Sequence, residues 1–396
     1  MDATKLRAWW AHRQGLDGSL LGKSPAQVLE RSGWARSVGG VGPYLTLFAR
    51  AGTSRAEADR AVERLEIHEL PAARGCTYVV PAADFPVALR VGRSMGDGEM
   101  RVAVKLGVTE KEVDRLGAAV VKALARGPLD PQGIREATGD ASRSLGEEGK
   151  KKGLSTTLPL ALGRLQAAGD IRRVPVNGRL DQQRYAYALW KPNPLAGRKE
   201  TEYDALVELA RRYFGWVGPA TLAEFQWFAA VGAKAVREIT RSLGLVPADA
   251  GSDRLLLPEE AAAFRAFKPP ARPHYALVSS LDAISAARRD LAGLLDPEDR
   301  ERKVVADKTP VHVGGLSDLP NHAILDRGRV IGLWEFDPEA GTVVWGTFGG
   351  KDKALAAAVK ETEDFVRDQL GDARSFSLDS PKSRAPRIRA LRAMRS

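Results

Sequence analysis

Residues 155–190, STTLPLALGRLQAAGDIRRVPVNGRLDQQRYAYALW, hold a helix and a hairpin in immediate succession. Leu158, Ala161, Leu162 and Leu165 recur at helical spacing, so they share one face of a helix that starts near Ser155–Thr157 and stops at Gly169. Ile171–Val176 and Gln182–Trp190 then read as strands, and Asn177-Gly178 between them is a hairpin signal because both residues tolerate positive φ. Upstream, Lys111–Arg126 carries Val113, Leu116, Val120, Val121 and Leu124 on one stripe. Gly127-Pro128 breaks that helix, a short helix spans Asp130–Thr138, and a loop rich in Gly and Lys runs from Asp140 to Gly153. Helix, short helix, helix, hairpin is the order of a winged helix-turn-helix.

The order recurs downstream. Glu200–Phe214 is helical, with Tyr203, Leu206, Ala210, Tyr213 and Phe214 on one face. Gly218-Pro219 opens a second helix reaching about Phe228, and Gly232 precedes a third packed by Val236, Ile239 and Leu243. Leu245–Val246, a turn at Gly251 and Leu255–Leu257 complete a hairpin. Residues 105–195 and 199–265 thus read as two copies of one architecture. Residues 1–95 read as a third, degenerate copy, with helices at Ala3–Arg13, Ser24–Arg31, Pro43–Arg50 and Ser54–Leu65 and a hairpin from Leu65–His68 and Thr77–Val80. Ser54 with Glu57 and Thr109 with Glu112 have capping-box spacing. Ser24-Pro25 pairs an N-cap with a proline suited to N1. Prolines in Lys268–Pro273 mark a linker to a C-terminal α/β segment, residues 274–375. That segment has a hairpin (Val330–Phe336, Thr342–Phe348) and a helix (Asp352–Leu370). Residues 376–396 form a tail whose Lys382–Ser396 part holds six Lys or Arg and no acid. The expected fold is mainly α with β-hairpins: tandem winged helix-turn-helix modules plus a C-terminal α/β segment.

Composition narrows the function. The 396 residues include one cysteine, Cys76, which excludes intramolecular disulfides and thiolate zinc clusters. The five histidines, His12, His68, His274, His312 and His322, form no His-Glu-x-x-His pair. No apolar run reaches the ~18 residues of a membrane span, and no secretory apolar segment opens the chain. A cytoplasmic protein without metal or cofactor is expected. Sixty Lys plus Arg against fifty Asp plus Glu leave a net charge of +10, which permits a polyanionic partner without requiring one.

A winged helix lays its third helix in the major groove and its wing near phosphate. The outward face of the helix after Ser155 is read as Thr157, Leu160, Gly163, Arg164 and Ala167. The predicted DNA-binding set is Lys150, Lys151, Lys152, Thr157, Arg164, Arg172, Arg173 and Arg179 in one copy, and Lys234, Arg237 and Arg241 in the next. The plainer reading is that these charges are only solvated. The basic tail is either a strap along nucleic acid or a frayed terminus. Trp9, Trp10, Trp34 and Trp334 are candidate wedges for the gap left by an extruded base, or else core. Gly22-Lys23-Ser24 fails as a phosphate-binding loop, because the required glycine is Asp17 and Pro25 follows. Gly39-Gly40-Val41-Gly42-Pro43 is no dinucleotide fingerprint; its glycines predict a flexible, close-packed turn.

Several segments carry a resemblance. They are His12-Arg13-Gln14-Gly15-Leu16; Leu70–Phe85 with Arg74-Gly75-Cys76-Thr77 and Asp84; and Gly215–Phe228 with Gly218-Pro219-Ala220-Thr221, Phe225 and Trp227. Leu281-Asp282 and Asp326–Trp334, with Gly328, Arg329, Gly332 and Trp334, complete the set. In this order the chain resembles the winged-helix DNA glycosylases of the AlkZ/YcaQ type, which excise alkylated purines and unhook interstrand crosslinks. The resemblance implies tandem winged helices curved around a channel for double-stranded DNA, and cofactor-free N-glycosidic hydrolysis. It also implies a Gln-x-Gln or Gln-x-Asp catalytic signature shortly after the second helix. Here that stretch, Trp34–Pro43, contains no Gln, Asp or Glu. A glycosylase needs a polar group to hold water against the sugar as the base leaves.

Gln14, Glu66, His68, Glu69 and Asp84 are the substitutes within the first module. Each has a structural alternative, Gln14 as a helix-end residue and Asp84 as an N-cap, so the catalytic residue stays unassigned. The expected function is DNA binding in DNA repair or damage recognition, with base excision absent or slow. The competing class is a transcriptional regulator or protein-docking winged-helix scaffold without enzymatic activity.

Overall fold

The computed structural model describes residues 2–93, 96–306 and 309–394. It is 49% helical and 16% strand, with the strands in small antiparallel sheets. This is the mainly α architecture with hairpins that the periodicity predicts.

One order of elements occurs three times. Pro25–Ser32, Gly42–Ala51 and Arg55–Glu63 are helices followed by the strands Ile67–Pro71 and Thr77–Pro81. Glu110–Leu124, Pro131–Thr138 and Leu158–Ala167 precede Ile171–Pro175 and Tyr185–Leu189. Glu202–Val217, Leu222–Ala229 and Ala233–Arg241 precede Val246–Pro247 and Leu255–Leu256. In each, the chain between the first two helices pairs with the last strand. The strand Ala35–Arg36 pairs with Val79 and Tyr78, Leu129 with Tyr187, and Ala220 with Leu255. Side-chain caps start the helices where the sequence placed them. The hydroxyl of Ser54 accepts from Glu57 N–H while Glu57 accepts from Ser54 N–H, and Ser24 with Gln27 does the same.

The loop Asp140–Gly153 is not irregular throughout, since Gly146–Lys151 forms a short helix. The hairpin after Gly169 is longer than an Asn-Gly turn alone would make it. Its strands end at Pro175 and resume at Tyr185. Asn177-Gly178 does turn the chain, with Gly178 at φ 72°. The remaining loop, however, is held by packing: Leu180 is fully buried and its N–H donates to the Tyr44 hydroxyl at 2.9 Å.

Three of the four apolar cores are shared between distant parts of the chain. Leu70, Val80 and Phe85 pack with Leu209, Tyr213 and Phe225. Leu29 and Tyr44 pack with Ile324, Trp334 and Phe336. Leu6, Trp9 and Trp10 pack with Leu325, Leu333 and Leu391. The core around Val113, Leu116, Leu158 and Tyr187 alone stays within residues 100–189. Trp9, Trp10, Trp34 and Trp334 are all buried, so none is a surface wedge.

The basic tail is not frayed. Pro381–Ala393 is a helix, capped by Ser380, and it packs on the sheet of Tyr275–Val278, His322–Asp326, Arg329–Asp337 and Thr342–Thr347. That sheet buries Glu335, whose carboxyl burial pushes up to about 7 against the pull of Arg387. Arg387 answers it at 2.9 Å and also meets Asp379 at 2.8 Å; Arg384, fully buried, meets Asp372 at 2.8 Å. Arg384, Arg387 and Arg392 are thus spent on acids of the fold, while Lys382 and Arg389 stay exposed. Arg395 and Ser396 lie outside the described residues.

Candidate nucleic-acid interface

The stretch Trp34–Pro43 is rigidly held. Trp34 is buried and donates its indole N–H to Asp84 at 2.6 Å. Ala35–Arg36 forms the edge of the sheet whose strand order is 35–36, 77–81, 67–71. Beyond it, residues 374–377 lie across the turn: Val41 N–H donates to the Arg374 carbonyl at 2.9 Å and Ser377 N–H to the Val38 carbonyl at 3.1 Å. A Cβ on Gly40 would stand 2.3 Å from the Ser375 carbonyl oxygen. The glycines therefore serve close backbone approach, and the expectation of a flexible turn is corrected. Arg36 is the one polar side chain of the stretch that is not fully buried.

The substitute catalytic groups are turned inward. Gln14 is fully buried, accepting from Arg50 at 3.0 Å and donating to the Trp216 carbonyl at 3.2 Å. Asp84 is fully buried against Arg212 at 2.6 Å, and burial lifts its carboxyl to about 6 despite that cation. Burial likewise raises Glu69, which accepts from the Tyr185 hydroxyl at 3.1 Å. Glu66 alone reaches solvent. It sits at the far end of the sheet from Ser37, since Ile67 pairs with Pro81 while Ser37 bonds the Thr77 carbonyl.

His68 is buried between Phe85 and Trp190 with neither ring nitrogen hydrogen-bonded. Burial, helped by Arg172 and Arg173, pushes its imidazole down from 6.5 to about 3. The unfolded chain binds a proton below pH 6.5 that folded His68 refuses until about 3, so stability falls as the pH drops through that window. His68→Leu is expected to remove this slope. With no hydrogen bond to lose, it is also expected to gain about 1–2 kcal/mol near neutral pH. Urea midpoints at neutral and mildly acidic pH read both effects; a variant that loses stability on acidification as steeply as the parent contradicts them.

The predicted DNA-binding residues divide. Lys150, Lys151, Lys152, Lys234, Arg237 and Arg241 are exposed, and among the described residues their only ion pairs are Lys150 to Glu147 at 2.7 Å and Lys234 to Glu238 at 4.0 Å. Thr157 is withdrawn: it is fully buried, and its hydroxyl accepts the Arg143 N–H at 3.1 Å. Leu160 is buried too. The helix Leu158–Ala167 packs on one side into its own core and on the other toward Phe85–Gly92 and Gly96–Lys105. Its expected outward face lines a cleft of about 680 Å³ with Arg90 and Arg93, where Arg164 meets Asp114 at 2.5 Å. Arg172 and Arg173 are half-buried, Arg173 over the Tyr185 ring at 5.2 Å. Arg179 is tied to Asp181 and to the Leu370 carbonyl rather than free in a wing.

A second cationic group was not predicted. Arg74, at the loop between Ile67–Pro71 and Thr77–Pro81, lays its guanidinium 3.3 Å from the ring centre of Trp227, and Arg289 lies 5.1 Å from it. Among the described residues no group of three or more His, Cys, Asp or Glu could hold a metal ion.

A family model described as DNA glycosylase AlkZ-like matches residues 41–374. The chain belongs to this family. The AlkZ-like chain is also similar to a solved structure, Streptomyces sahachiroi DNA glycosylase AlkZ. Identity is 20%, the match covers 95% of this chain and 98% of that one, and the TM-score is 0.69. At that identity the likeness is one of fold. No curated protein matches the chain. Within the AlkZ-like frame, the quoted segments acquire physical reasons. Gly218 and Pro219 offer their carbonyls to the indoles of Trp9 and Trp10 at 3.0 and 3.1 Å. Asp282 grips Arg50 with both oxygens at 2.7 Å. A Cβ on Gly328 would stand 2.1 Å from the Arg7 carbonyl oxygen. These residues hold modules together.

Proposed function

We propose that the protein grips double-stranded DNA in a repair or damage-recognition role, through three winged-helix modules, with base excision absent or far slower than in members carrying the full signature. One observation carries the reading. Around Trp34–Pro43, Gln14, His68, Glu69 and Asp84 are all sealed in the core, while the cations Lys150–Lys152, Lys234, Arg237 and Arg241 stay open to solvent. Grip is kept and the water-holding group is missing. The repeated helix order, with its closing pairs Leu129–Tyr187 and Ala220–Leu255, supports the winged-helix assignment. No helix among the described residues is long and apolar enough to cross a membrane.

Two measurements on the same preparation test this. Duplex affinity as a function of salt is expected to fall steeply, because phosphate contacts release counterions. Single-turnover release of a 7- or 3-alkylated purine at protein excess is expected to be undetectable on the timescale of an active glycosylase. Rapid release overturns the catalytic half. Failure to bind any duplex at low salt overturns the DNA half and returns the protein to the docking-scaffold class.

A further inference from the structure

Five non-glycine residues among those described hold left-handed backbone: Leu65, Arg74, Ala230, Arg289 and Arg327. Arg74 and Arg289 have their guanidiniums over Trp227, and Ala230 lines the same open cleft as Trp227, Arg74 and Gln226. Each costs of the order of ~1–2 kcal/mol relative to a relaxed residue. Two such residues, Arg74 from a hairpin loop and Arg289 from the turn after Ala283–Ala286, meet at one indole, while Ala230 is the left-handed C-cap of the helix that carries it. Strain brought to one point from two separate segments calls for a reason, and their own packing supplies little, since Arg289 is exposed and Arg74 half-exposed.

Charge sharpens the point. Arg36, beside Tyr78 on the neighbouring strand, brings a third guanidinium. Burial, with the positive charges of Arg36 and Arg289, holds Arg74 below the usual guanidinium range. No carboxylate lies within ion-pair distance of Arg36 or Arg74 among the described residues, and the Nε of Arg36 is buried without a partner. Arg289 has one acid, Asp318, at 3.3 Å. Elsewhere the protein pairs its guanidiniums closely, as at Arg50, Arg384 and Arg387. A guanidinium stacked on an indole keeps its edge free, and that edge is a planar fork of donors fitted to two oxygens of one phosphate.

We infer that Arg74 and Arg289, held over Trp227, form with Arg36 of the adjoining strand an anion site that takes a backbone phosphodiester of the bound DNA. The inference rests on the DNA-binding reading above and adds the point of contact: the loop of the first module and the second helix of the third close on the same strand. An entering phosphate offsets the mutual repulsion of three cations and supplies the acceptors that Arg36 and Arg74 lack.

The test is the salt dependence of affinity for a short duplex, for the parent protein and for Arg36→Gln, Arg74→Gln and Arg289→Gln. Each substitution is expected to lower the slope of log K against log salt, by up to about 0.9, the full release for one phosphate. Affinity is expected to fall about tenfold, the effect of one lost hydrogen bond to a charged group. Arg74→Lys keeps the charge and loses the fork, so it keeps the slope while weakening binding. Thermal melts confirm folding; Arg289, being exposed, carries the test should Arg74→Gln unfold. Parent binding with unchanged slopes in all three Gln variants overturns the inference and leaves the DNA-binding reading standing. No binding by the parent overturns both.

Discussion

Asp282→Leu is expected to cost about 3–5 kcal/mol, the penalty for stranding a buried cation. Arg50 and Asp282 both have fully buried side chains and form a two-pronged pair at 2.7 Å. Arg50 also donates to the Thr46 carbonyl at 3.2 Å and to Gln14, and Asp282 accepts from Ile284 N–H at 3.0 Å. The pair therefore joins Gly42–Ala51, the end of Ala3–Arg13 and the start of Ala283–Ala286. Through Gln14 it reaches Trp216 on the helix Glu202–Val217. Against a typical total stability of about 5–15 kcal/mol, such a loss unfolds the protein well below its normal melting temperature. The double variant Arg50→Met with Asp282→Leu removes both charges and is expected to recover most of the loss. Denaturant midpoints decide it: a single variant within about 1 kcal/mol of the parent would mean the pair is solvated.

The second large effect is on rate. Release of an alkylated purine is expected to run about 10²–10⁴-fold slower than in a member with the full signature, the usual value of a positioned acid–base group. Restoring the residue type alone is not expected to help. Arg36→Gln places an amide at the only half-open polar position of the stretch. The charge it faces there is that of Arg74, and a guanidinium donates but cannot accept, so water gains no second acceptor. That positive charge also opposes the electron-poor sugar that forms as the base departs. A gain of tenfold or more in single-turnover release by Arg36→Gln would sink this argument, because it would mean the surroundings are already arranged for catalysis.

Local signals were legible in the sequence, while faces were not. Ser24, Ser54 and Thr109 cap helices as their spacing predicts, and the strands around Asp337–Gly341 pair as read. What a helix packs against is a long-range property. Helical spacing assigns Leu158–Ala167 one buried face, yet Leu158, Leu160, Leu162 and Leu165 encircle it, and a helix apolar all round is buried on both sides. Charge alone hides the fold of the tail. Ser380-Pro381 repeats the start signal of Ser24-Pro25, and Ile388 and Leu391 share a helical spacing. The cluster about Trp227 had no local signal, since Arg36, Arg74 and Arg289 are far apart in sequence and only backbone dihedrals mark two of them.

The core that unites Leu6, Trp9 and Trp10 with Leu333 and Leu391 sets a schedule for biosynthesis. The opening helix leaves the ribosome with its tryptophans exposed: the Gly218 and Pro219 carbonyls that accept their indole N–H groups emerge 209 residues later, and the core shared with Leu391 closes later still. At about 5–20 residues per second that delay is tens of seconds, an interval in which nascent apolar surface is open to chaperones and to aggregation. Residues 100–189, whose core is self-contained, can fold during that wait. The middle of the chain thus matures before either end.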